Sequence, residues 1–173
     1  MSRPSEPGVA LLPVLPDEAE AVSEMAARIW PTAYGAILPP GQIDHMLAWM
    51  YDPERLRREL AEGILYLWIG QEGERVGFLA AGPVRAGSPC PLHKFYLLPE
   101  AQGRGLGGAA MALLRERIAA AEAVSLELRV NRNNAPAIRF YKKHGFTTYA
   151  EDRLEIGDGF AMDDYLMRLP LKP

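Results

Sequence analysis

Cysteine is almost absent. Cys90 is the only one in 173 residues, so no internal disulfide forms, and a reducing, cytoplasmic setting is the expectation. Long apolar runs are missing as well. None approaches the roughly 20 residues that a bilayer-spanning helix needs, and residues 1–8 hold no apolar stretch of the kind a signal peptide carries. Those first eight residues, proline-rich and polar, read as a flexible end before a single domain over residues 9–173. An excess of one charge is lacking too. The 19 Lys and Arg against 22 Asp and Glu leave a net charge of -3, which gives no electrostatic basis for nucleic acid or an anionic membrane as partner. No metal site is assigned.

What the chain has is glycine and proline, 16 and 15 residues, placed as punctuation. Residues 9–15 read as an edge strand interrupted by Pro13. Asp17 with Glu20 suggests a capping box, and Val22, Met25, Ala26 and Ile29 recur at helical spacing until Trp30-Pro31 ends the helix. Ile43, Met46, Leu47 and Met50 mark a second helix. Asp52-Pro53 caps a third, which Gly63 closes. Strands follow at residues 64–69 and 75–81, joined by a turn at residues 71–74. A loop covers residues 85–91, and a strand covers residues 92–98, stopped by Pro99. A helix over residues 105–121, an alternating strand over 124–130, a helix over 133–144 stopped by Gly145, and a hairpin around residues 157–159 complete the chain. Helices inserted into a largely antiparallel run of strands predict an α/β (α+β three-layer) domain.

The segment Gln102-Gly103-Arg104-Gly105-Leu106-Gly107-Gly108 joins a strand to a helix. Glycines allow positive φ and close backbone approach, and successive N–H groups at a helix start make an anion site suited to a diphosphate. Gly103, Gly105 and Gly108 also fit G-x-G-x-x-G, a weak dinucleotide signal. The next acidic residue at suitable distance, Glu127, sits mid-strand, and the chain ends in hairpins rather than further βαβ units. No G-K-[ST] follows, so a P-loop is excluded. A bare glycine turn without ligand stays open at this point.

Downstream lies Asn134-Ala135-Pro136-Ala137-Ile138-Arg139-Phe140-Tyr141-Lys142-Lys143-His144-Gly145-Phe146. Together the two segments resemble the Q/R-x-x-G-x-G/A and N-x-x-A-x-x-x-Y-x-x-x-G-F motifs of the GNAT family of N-acetyltransferases, in the same order and with one helix and one strand between them. The resemblance implies a splayed mixed, mostly antiparallel sheet of about seven strands flanked by helices. It implies acetyl-CoA as donor, with pantetheine in the splay against the backbone of Tyr96, Leu97 and Leu98. The pyrophosphate would lie on Gln102, Gly103, Arg104, Gly105, Leu106, Gly107 and Gly108. Asn134 would touch pantetheine while also serving as a helix cap. Tyr141 would be the general acid for the thiolate, and the Leu98 N–H the oxyanion donor. Periodicity alone would leave Tyr141 a core aromatic. Arg104, Lys142 and Lys143 suit either phosphate contact or solvent.

The acceptor is expected to be a primary amine on a small molecule, polyamine or peptide N-terminus. Its pocket is expected at Trp30 and Tyr34, outside any regular helical face, with Ile37, Trp49 and Tyr51 near and Tyr165 opposite. A glutamate common just before the equivalent of Leu92 is replaced here by Pro91, so the base is unassigned among His93, Asp163, Asp164 and Glu155. A non-catalytic acyl-CoA sensor is the alternative function, and a homodimer through the last strands is a further expectation from the resemblance.

Overall fold

The computed structural model describes residues 8–171, and of the expected flexible end residues 1–7 lie outside them. The strands are β1 (Val9–Pro13), β2 (Leu65–Gln71), β3 (Glu74–Ala81), β4 (Pro89–Leu97), β5 (Ser125–Asn131), β6 (Thr147–Gly157) and β7 (Phe160–Pro170). The helices are α1 (Ala19–Tyr34), α2 (Gln42–Met50), α3 (Pro53–Ala61), α4 (Leu106–Ala120) and α5 (Ala135–Lys143). One seven-stranded sheet has the order β1-β2-β3-β4-β5-β7-β6. Every neighbouring pair is antiparallel except β4 with β5.

That parallel pair is short. It runs from Pro89↔Ser125 to Leu92↔Leu128 and stops. Beyond it β4 stays with β3 through Leu97, and β5 stays with β7 through Asn131. The sheet therefore splays between the C-terminal ends of β4 and β5, as expected.

Several local expectations hold for the reasons given. Asp52 accepts from Arg55 N at 3.3 Å, with Pro53 as the first residue of α3. Gly145, at φ 95°, stops α5 and turns Phe146 into the core at 1% exposure. Others fail. Glu18, not Asp17, takes the reciprocal capping bond, accepting Leu15 N at 2.9 Å, and a short 3-10 turn precedes α1. Helix α1 also runs through Pro31 to Tyr34. The proline forfeits one backbone bond, but Gly35 N still donates to Pro31 O at 3.0 Å, and the extra turn packs Tyr34 on Trp30 at 4.5 Å between ring centroids. Trp30 and Tyr34 thus lie on a regular helix after all.

Strand β4 begins at Pro89, not Leu92. Prolines are tolerated there because regular pairing with β3 starts only at Ala81↔Leu92. Next to that pair is a bulge: Ala80 faces Lys94, so His93 is the extra residue without a Cα partner.

Candidate functional site

The β4 backbone decides what faces the splay. Leu98 N donates to Val76 O at 2.8 Å. In an antiparallel ladder, residues alternate between those bonded to the partner and those pointing away. Leu98 and Tyr96 are therefore turned toward β3, and the N–H and C=O of Leu97 and Phe95 toward β5, where pairing has ceased. This corrects the expectation for Leu98, whose amide is already engaged. The donor available to an oxyanion in the gap is the N–H of Leu97. Gly77 makes this geometry possible: a Cβ there would overlap the Tyr96 carbonyl and crowd Leu97 Cα at 3.1 Å.

The glycine segment turns at Gly103 and Gly105, both at φ 76°, into the N-terminus of α4. Gln102, Gly103, Arg104 and Gly105 are exposed, and Gln102 Nε2 donates to Leu97 O at 3.4 Å. Gly107 and Gly108 do other work. A Cβ on Gly107 would press the Phe140 ring at 3.2 Å, and one on Gly108 the His144 ring at 3.1 Å. They let α4 close onto α5, while Leu106 is core at 1% exposure.

Helix α5 carries the other motif. Asn134 caps it, accepting Ala137 N at 3.3 Å through Oδ1, and its amide N–H group is directed to the Tyr34 hydroxyl. Tyr141 packs its ring edge against Phe140 and Phe146 at 5.4 and 5.5 Å. Burial raises the pKa of its hydroxyl, and the Tyr34 hydroxyl adds to the effect. Tyr141 thus holds its proton at any ordinary pH. Tyr34 and Tyr96 share a hydrogen bond at 3.0 Å, and burial raises both, Tyr96 strongly.

On the other side of these tyrosines is a cavity of ≈ 460 Å³. Trp30, Tyr34 and His93 line it; Tyr165 does not. Alternation along β7 points Met162, Asp164 and Leu166 inward, and Tyr165 lies on the far face under the Arg132 guanidinium, 5.2 Å from its ring centroid. Trp49 and Tyr51 also miss the cavity. Trp49 stacks with Arg55 and is 39% exposed, whereas Tyr51 is buried and takes Trp30 Nε1 at 3.3 Å. Helix α2 roofs the cavity, with Gln42 Nε2 donating to Ala161 O at 2.8 Å.

The acetyltransferase (GNAT) family model matches residues 22–146, most of the chain. The chain belongs to this family. Solved structures of GNAT-like fold agree over nearly the whole length. The PaiA N-acetyltransferase of Thermoplasma acidophilum in complex with coenzyme A superposes with TM-score 0.78 at 21% identity, covering 94% of this chain and 99% of that one. The ribosomal-protein-S18-alanine N-acetyltransferase of Escherichia coli gives 0.71 at 20%, covering 95% of each chain. The protein yncA of Salmonella typhimurium with its cofactor acetyl-CoA gives 0.65 at 20%, covering 96% and 95%. At such identities the likeness is one of fold. No helix among the described residues is long and apolar enough to cross a membrane, and no group of His, Cys, Asp or Glu among them is arranged to hold a metal.

Of the carboxylates weighed as base in this GNAT chain, only Asp164 lines the cavity. It is 3% exposed and accepts Arg129 Nε at 3.0 Å; burial raises its pKa and Arg129 opposes that rise. Asp163 pairs with Arg132 at 3.0 Å on the opposite face, and Glu155 stands exposed on β6. Sequence reasoning missed Lys94, Glu59 and Arg55, all of which line the cavity. The signal was present for Lys94, a charge between Leu92 and Phe95-Tyr96-Leu97 in a strand. It was absent for Arg55 and Glu59, which look like an ordinary i,i+4 surface pair.

Proposed function

We propose that this chain transfers the acetyl group of acetyl-CoA to the primary amine of a small acceptor by direct attack in a ternary complex. The observation that carries the reading is the splay. The Leu97 N–H and the Phe95 backbone groups face it beyond the end of the β4–β5 ladder, an anion-suited glycine turn stands at one end, and the cavity opens beyond Tyr34 and Tyr96. An extended, amide-bearing pantetheine arm complements such a strand edge. Its pyrophosphate would meet the N–H groups of residues 102–108 at the start of α4.

In this reading the acceptor enters as an ammonium ion beside Asp164, which takes a proton and leaves the nitrogen lone pair free. The amine nitrogen attacks the thioester carbonyl carbon. The carbonyl oxygen gains charge and is held by the Leu97 N–H. The C–S bond then breaks, the sulfur takes the Tyr141 proton, and the N-acetyl product and CoA leave. The product's remaining proton returns to the site. Asn134, through its second amide hydrogen, holds the pantetheine in line. Holding both substrates in one cleft supplies much of the rate.

The test is thiol release from acetyl-CoA with a panel of primary amines, followed by mass spectrometry of the acetylated product. Amine-dependent release supports the reading. Tight acetyl-CoA binding with no release for any amine rejects it.

A further inference from the structure

Charges around the cavity are unevenly shared. At the α3–β4 end one carboxylate, Glu59, serves two cations: Arg55 Nε lies 3.6 Å from Oε1 and Lys94 Nζ 3.8 Å from Oε2. At the β7 end the ratio reverses, and one guanidinium, Arg129, lies 3.0 Å from Asp164 and 2.7 Å from Asp152. Glu127 and Arg168 are matched one to one at 2.7 Å. The cavity therefore has a cationic end under α3. Its anionic end carries Asp164, whose charge reaches the Tyr34 hydroxyl.

The cationic end is a built site. The Lys94 side chain is 5% exposed. Its Nζ donates to Tyr66 Oη at 2.8 Å, and Tyr66 donates onward to Glu59 at 2.8 Å. Glu59 itself, at 3.8 Å from Nζ, lies beyond hydrogen-bond reach. An ammonium has three donors; among the described residues Lys94 uses one of them. The rings of Tyr51 and Tyr66, each 5.2 Å from Nζ, hold the charge in place without supplying an acceptor. A buried cation with unused donors on a cavity wall is costly unless something accepts from them.

This arrangement discriminates among amine acceptors. A polyamine would bring a second ammonium against Lys94 and Arg55. A simple monoamine would leave the Lys94 donors unmet. An acceptor with an anionic group at its far end satisfies both ends at once, and the apolar walls Leu38, Met46, Met162 and Leu166 suit a hydrocarbon body between.

We infer that the acceptor is a small amino acid-like zwitterion, its carboxylate seated on Lys94 and Arg55 and its amine at Asp164. The inference rests on the acetyltransferase reading and narrows its substrate. Burial holds the Lys94 ammonium down at about 8, and a carboxylate beside it offsets that burial by supplying the missing acceptors.

The experiment compares matched pairs that differ only in the carboxylate: 5-aminopentanoate with butylamine, 6-aminohexanoate with pentylamine, and spermidine as the polyamine. The expected kcat/KM for each amino acid exceeds that of its decarboxylated amine by about 30-fold or more, the scale of a buried charge contact. Lys94→Met and Arg55→Met should each pull that ratio toward one through the KM of the amino acid, and Lys94→Arg should restore part of it. Arg55 is half-exposed, so its variant tests the inference even if Lys94→Met fails to fold. The inference is overturned if amines or spermidine match the amino acids. It also falls if the ratio survives both variants, or if the loss lies in kcat. Absence of thiol release with every acceptor would instead count against the acetyltransferase reading. In that event calorimetry on the CoA-loaded protein decides: tighter binding of 6-aminohexanoate than of pentylamine supports the inference, and equal binding rejects it.

Discussion

His93 Nε2 lies 2.7 Å from the carbonyl oxygen of Gly82. Gly82 N donates to Pro91 O at 2.8 Å, but Pro91 has no N–H to return. The bulged histidine, as Nε2–H donor, supplies the missing hydrogen bond. His93→Ala is therefore expected to cost about 1 kcal/mol of stability while changing kcat by no more than about twofold. Denaturant unfolding and steady-state kinetics measure the two separately; a large kcat loss with unchanged stability would make His93 a participant in the chemistry.

Tyr141→Phe keeps the ring contacts with Phe140 and Phe146 and removes only the hydroxyl. The expected outcome is a fall in kcat of about 100-fold or more, with little change in melting temperature or in the KM for acetyl-CoA. Turnover within a few per cent of wild type would remove Tyr141 from its role as acid.

Two glycines separate backbone conformation from close approach. Gly105, at φ 76°, has open space where a Cβ would stand. Gly105→Ala should cost about 1–2 kcal/mol from left-handed strain and weaken CoA binding. Gly77→Ala meets the Tyr96 carbonyl. It should cost about 1–3 kcal/mol from overpacking and also disturb the Leu97 amide, lowering kcat. Equal kinetic effects from the two variants would contradict the distinct roles.

Lys94 ties stability to pH. Its pKa is 10.5 when unperturbed and about 8 in the fold, because burial disfavours the ammonium. Between those values the unfolded chain holds a proton that the folded protein has released. Stability from this group therefore rises as pH rises through that window, and below about 8 the folded state carries the full cost, roughly 3 kcal/mol at most. Urea unfolding of wild type and Lys94→Met from about pH 7 to about pH 10.5 should show the wild type gaining on the variant as pH rises. A constant difference would mean that the ammonium is not desolvated.

The sequence carried the periodic and punctuated parts of the structure well. Gly145, Asp52-Pro53 and the alternation in β5 act through local rules, and each appears where expected. What escaped it was set by distant partners. Pro31 reads as a helix stop, yet packing of Tyr34 on Trp30 carries α1 one turn further. Pro89 and Pro91 read as loop, yet one-sided pairing lets them stand in a strand. The Leu98 amide, expected to face the splay, is bonded to Val76 instead, because the phase of the β3–β4 ladder is invisible without Val76 opposite. The resemblance placed Tyr165, on the last hairpin, opposite the pocket, but strand alternation turns it away. The charge pattern around Lys94 joins α3, β2 and β4, and no window along the chain contains all three.

The short β4–β5 ladder, Pro89–Leu92 against Ser125–Leu128, has a mechanical consequence. Among the described residues it is the only hydrogen-bonded seam between the four strands on one side and the three on the other. If the donor's arm occupies the open part of that seam, it acts as a removable stitch between two half-sheets. Loading the donor would stiffen the molecule and set the acceptor cavity's width in the same event, and its departure as CoA would slacken the walls around the product.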